Sequence, residues 1–121
     1  MNTWEDFVSD LTKIELLCTI KDEAIKEWGL DMPKSLIFSK FGKGIVEKLD
    51  DLSPNERDYV FGAIENGMQA KNEQLKTLVA TSLLESLYMR ASSDDMLWDR
   101  ICKQLGKQSK QYLLDWCTWS Q

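Results

Sequence analysis

Apolar residues recur at three- and four-residue steps along almost the whole chain, the period of an amphipathic helix. Trp4, Phe7, Val8, Leu11, Ile14 and Cys18 form a first stripe, and Leu17, Ile20, Ala24 and Trp28 form a second, rotated from it. Together they predict one long helix from a Thr3 cap to Gly29 that turns its buried face midway, with two helices meeting near Thr19 as the alternative. Pro33 forbids helix just before it and begins the next element. Leu36, Ile37, Phe38, Phe41, Ile45, Val46 and Leu49 predict a helix over 35–49, in which Gly42 and Gly44 each cost roughly 1 kcal/mol. A strand over 35–41 stays open as the rival, because periodicity does not decide a short apolar run.

Ser53-Pro54-Asn55-Glu56 is the clearest helix start: a cap, a proline at the first helical position, and a glutamate three residues after the cap. Tyr59, Val60, Ala63, Ile64 and Met68 follow on one face, with Gly67 ending the order. Asn72 caps the next helix, expected to run to about Arg90. Its Leu75, Leu78, Val79, Leu83, Leu84, Leu87 and Tyr88 cover much of the circumference, as in a helix surrounded by neighbours. A break at residues 91–95 precedes Met96, Leu97, Ile101, Cys102 and Leu105 on one face, stopped by Gly106. Ser109 then caps a last helix carrying Tyr112, Leu113, Trp116 and Cys117. Trp4, Trp28, Trp98 and Trp116 fall on apolar stripes and are expected in the core. The pattern predicts an all-α fold: a single domain over residues 1–121, a bundle of about six helices, mostly antiparallel hairpins because the connections are short.

Composition narrows the chemistry. The chain has no histidine, which removes Ser-His-Asp and Cys-His nucleophiles and the common zinc sites. Cys18, Cys102 and Cys117 lie far apart with no CxxC pair, and read as reduced, buried thiols; a Cys102–Cys117 disulfide is the alternative. The Phe41-Gly42-Lys43-Gly44 stretch lacks the spacing of a phosphate loop. Neither a cofactor nor a metal is expected, and the carboxylate pairs Asp94/Asp95 with Asp99 read as favourable charge at a helix start. No apolar run is long enough to span a membrane. The acidic, mixed N-terminus differs from a signal peptide, so cytoplasmic residence is the expectation.

Net charge is −5, and residues 1–52 hold eleven acidic and seven basic groups. Such a balance suits a basic protein partner and is poorly suited to direct contact with nucleic acid. Asp22, Glu23 and Glu27 lie within about two helical turns, and Asp50 and Asp51 sit on a predicted turn. These five are the candidate partner-binding acids. Trp119 is a further candidate, because it lies two residues from the end and is hard to bury. Glu65 and Glu85 each fall beside the apolar face of a central helix and are candidates for a buried polar pair, each needing a donor such as Arg57, Arg90, Tyr59 or Tyr88.

The central stretch carries a resemblance. Leu52-Ser53-Pro54-Asn55-Glu56-Arg57, Val60-Phe61, Ile64-Glu65-Asn66-Gly67 and then Leu78-Val79-Ala80-Thr81-Ser82-Leu83-Leu84-Glu85-Ser86-Leu87 resemble small helical immunity proteins. These accompany bacterial polymorphic toxins, including those of contact-dependent growth inhibition. The resemblance implies a helical protein without catalysis of its own. It would bind and neutralise a cognate toxin domain, a nuclease with a basic cleft among the options, by stoichiometric occlusion. It implies no toxin-contacting residue, since binding surfaces vary across that family. A helical adaptor or antitoxin-like regulator is the alternative, and a carboxylate-dependent enzyme a third.

Overall fold

The computed structural model describes residues 3–120, with side chains from 3 to 117. Among the described residues seven helices form: α1 (Trp4–Leu11), α2 (Glu15–Trp28), α3 (Lys34–Glu47), α4 (Pro54–Met68), α5 (residues 73–91), α6 (Asp95–Gln104) and α7 (Lys107–Ser120). A short 3₁₀ turn, Leu49–Asp51, leads into α4. The 35–41 stretch is helical, so the strand alternative falls away.

The seventh helix comes from a break in the first expected one, at Thr12–Ile14 rather than near Thr19. Thr12 Oγ1 donates back to the Val8 carbonyl at 2.7 Å, and Ile14 is extended, with no side-chain cap. Such back-bonding competes with the next helical turn. The break also lets both rotated stripes reach one core: Phe7, Val8 and Leu11 from α1, Leu17 and Ala24 from α2.

Side-chain caps start four other turns as their sequences predict. Thr3 and Asp6 form a reciprocal capping box, as do Ser53 and Glu56. Asn72 Oδ1 accepts from Leu75 N at 3.0 Å, and Asp94 Oδ1 from Leu97 N at 3.1 Å. Ser109 departs from expectation. The last helix begins at Lys107, so Ser109 lies inside its first turn, fully buried.

The layout is organised around α5. Helix α3 packs along its middle and second half, α1 and α4 reach its first half, α6 its end, and α7 lies over α4 and the middle of α5. That middle, Leu78–Leu84, is a π-helix. Thr81 Oγ1 donates to Thr77 O at 2.7 Å and Ser39 Oγ of α3 to Ser82 O at 3.3 Å, bonding the wider backbone to its surroundings. Gly42 of α3 sits against the same segment so closely that a Cβ there would lie 2.3 Å from the Leu83 carbonyl oxygen. The glycine that weakens α3 as an isolated helix is the one that lets it approach α5.

One apolar cluster joins every helix described, from Phe7 to Leu113. Phe7 stacks on Phe38 with ring centroids 5.1 Å apart, and Phe38 meets Phe41 edge-on. Tyr88 receives Trp98 and Trp116 edge-on at 5.0 and 5.4 Å, fastening α6 and α7 to the end of α5. Three residues expected on apolar faces lie outside it: Met96 is 80% exposed, Trp28 54% and Tyr59 39%. Met96 and Trp28 stand at helix ends, where a stripe read from periodicity runs past the last neighbouring helix. The three cysteines are free and half-buried. Among the described residues, no helix is long and apolar enough to cross a membrane.

Candidate functional site

Glu65 and Glu85 do not pair with one another. Each instead holds the last helix. Glu65 Oε2 accepts from Gln108 N at 2.8 Å, while Oε1 accepts from Ser109 N at 2.9 Å and Ser109 Oγ at 2.8 Å. Gln69 Nε2 supplies a fourth bond at 3.0 Å. The carboxylate of α4 thus caps α7 from outside its own chain segment, at the helix end that favours negative charge. Burial pushes the Glu65 carboxyl up, but the bonds from Gln108, Ser109 and Gln69 outweigh it, so its pKa lies below the ordinary 4.5. Glu85 accepts from the Tyr112 hydroxyl of α7. Burial first, and then this carboxylate, push the Tyr112 phenol far up. Besides the local Gln69, the donors are Ser109, Gln108 and Tyr112, none of which local sequence reveals. Gly106 leaves room for the cap, since a Cβ there would lie 2.5 Å from the Glu65 side chain.

These bonds make a stability prediction. Glu65→Ala leaves the fully buried Ser109 hydroxyl and the α7 N–H groups without their acceptor, and should cost about 1–3 kcal/mol. Because the folded pKa is lowered, wild-type Glu65 contributes fully above its ordinary 4.5 and loses that contribution as pH falls through the lower folded value. Denaturant melts of wild type and Glu65→Gln across that acid range should converge as pH falls.

The candidate partner-binding acids fall into two groups. Glu23 and Glu27 line a groove with Lys40, Lys43 and Lys48 of the α3 region, so lysines balance them on that side. Asp22 is exposed beside Cys18, whose thiol lies 3.8 Å from its carboxylate. Asp50 is paired with Arg100 of α6 at 2.6 Å, and that hydrogen bond, then the charge of Arg100, draws its pKa down. Asp51 is exposed. Trp119 lies outside the residues whose side chains are described.

The feature that sequence periodicity missed is the tip of α2. Trp28 is 54% exposed and Leu30 83% exposed on either side of Gly29, which turns the chain at φ +84°. Residues 22–31 around them carry four acidic groups and Lys26 as the one base. The available signal was Leu30 itself, an apolar residue past a glycine stop with no stripe to join. Next to the tip lies a cavity of about 390 Å³ between α1, α2 and the start of α3. Lys34 at its edge holds its ammonium 4.9 Å from the centre of the Trp4 ring, a cation–π contact.

Among the described residues, no three His, Cys, Asp or Glu side chains converge to hold a metal ion. The two carboxylates with displaced pKa values, Glu65 and Asp50, are both engaged in holding helices together. Residues 13–119 match a family described as a domain of unknown function, DUF7674, and the chain belongs to that family. No curated protein and no solved structure matches it.

Proposed function

We propose that this member of the DUF7674 family is a non-catalytic inhibitor that protects a bacterial cell by binding one cognate polymorphic-toxin domain. The observation that carries the binding reading is the α2 tip, where Trp28 and Leu30 stand exposed among acidic side chains. A large aromatic anchor with a charged rim is the usual anatomy of an interface hot spot. The resemblance of the α4–α5 stretch to toxin-immunity proteins supplies the class of partner. The acidic surroundings select a basic toxin surface, which in a nuclease is the substrate cleft. In this reading the gene beside the one encoding this chain specifies a large secreted protein with a variable C-terminal domain.

Binding kinetics against that C-terminal domain provide the test. Trp28→Ala should speed dissociation by about thirtyfold or more, as loss of a hot-spot anchor does. Asp22→Lys with Glu27→Lys should mainly slow association, and added salt should slow it for the wild type. The lysines opposite Glu27 make Asp22 the stronger of the two. Dissociation unmoved by Trp28→Ala, with association indifferent to salt and charge reversal, would remove the α2 tip from the interface.

A further inference from the structure

The cavity beside Trp4 has features that the inhibitor role does not use. Val8 and Ile37, nearly buried, form its floor, and Trp4, Ile25, Met32 and Leu30 complete an apolar wall. At about 390 Å³ it falls within the size range of small-molecule sites, which are mostly apolar with a few placed polar groups. Its charged lining runs against the rest of the molecule. Lys21 and Lys34 outnumber Glu5, on a chain whose net charge is −5. Lys34 is engaged with the Trp4 ring. Lys21 makes no ion pair among the described residues, so its ammonium is the cation free to meet a ligand.

From this we infer that the α1–α2–α3 cavity binds a small amphiphile with one carboxylate, its apolar part against Val8, Ile25 and Ile37 and its head group on Lys21. Glu5 on the same lining disfavours a second negative charge, which points to a monoanion rather than a phosphate. An apolar body suits the wall, and the cation sets the polarity of the head group. A basic protein segment is the poorer fit, because its charge would meet Lys21 and Lys34. The cavity shares Leu30 with the α2 tip, but Lys21 and the floor of Val8 and Ile37 lie outside the proposed toxin contacts, so ligand binding at Lys21 is tested apart from toxin binding.

Titration calorimetry of the full chain with decanoate, decanol and decylamine, all below their aggregation thresholds, tests it. Decanoate should bind one per chain, about tenfold more tightly than decanol or decylamine, the increment of one charge-assisted hydrogen bond. Lys21→Met should bring decanoate down to the level of decanol while leaving decanol unchanged. Lys21 is half-buried at the rim of the cavity and outside the core cluster, so the variant is expected to retain the fold, which circular dichroism checks. Three probes binding alike would reduce the cavity to a non-selective apolar patch and overturn the inference. So would the absence of saturable decanoate binding, or a decanoate affinity unmoved in Lys21→Met.

Discussion

Gly42→Ala is expected to destabilise the fold by about 3 kcal/mol, the upper range for overpacking, whereas the same change at Gly62 is expected to stabilise it. Both glycines lie in helix interiors, where alanine is favoured by about 1 kcal/mol. The surroundings reverse the sign at one of them. A Cβ at residue 42 would stand 2.3 Å from the Leu83 carbonyl oxygen and 3.2 Å from both Leu83 C and Leu87 N. All three are backbone atoms of α5, so no side chain can rotate aside and the helices must separate. At Gly62 no atom beyond its chain neighbours and the backbone of its own helix lies within 4 Å of the added carbon. Urea melts of the two variants should shift in opposite directions. Equal shifts would mean that α3 and α5 are not in backbone contact.

The second large effect concerns the leucines on that same helix. Leu83 and Leu87 are fully buried, in the one cluster that joins the helices. Leu83→Ala or Leu87→Ala should each cost about 2–5 kcal/mol, lost transfer energy plus the cavity left in a core that collapses only partly. The two sites share neighbours, so the double variant should depart from the sum of the singles. A loss under about 1 kcal/mol at both in chemical denaturation would place α5 outside the core.

Much of this architecture is legible in the chain because it rests on short-range rules. Thr3, Ser53, Asn72 and Asp94 announce helix starts through bonds to residues three positions on, and each of those bonds forms. The apolar circumference of 75–88 marks the helix that neighbours surround. What escapes the sequence depends on which residues meet across the fold. Glu65 finds its donors more than forty residues away at Gln108 and Ser109, and Glu85 finds Tyr112 rather than the tyrosines or arginines nearer in sequence. Ser109 looks like a cap in the sequence, yet an external carboxylate does that work and draws it inside. Trp28 and Met96 lie on apolar stripes that outrun their partners, so periodicity buries them and the fold exposes them. Acidic charge in the N-terminal half is plain from composition. That Lys40, Lys43 and Lys48 stand opposite Glu23 and Glu27, and Arg100 opposite Asp50, is not.

These contacts alter where a partner is to be sought. Composition alone spreads the acidic surface from Asp22 to Asp51. In the fold, Asp50 is taken up by α6 and Glu27 faces lysines, which concentrates the unmatched anchor at Trp28, Leu30 and Asp22. Changes there should leave the core intact, because Trp28 and Leu30 lie outside the buried cluster.

If a neighbouring gene encodes a toxin domain, as the inhibitor proposal requires, the most direct measurement titrates the activity of that domain with the purified protein. Inhibition by tight occlusion predicts a linear fall in toxin activity that ends at one inhibitor per toxin, with Trp28→Ala turning the sharp end point into a shallow curve. Toxin activity that persists with the chain in several-fold excess would contradict the inhibitor reading.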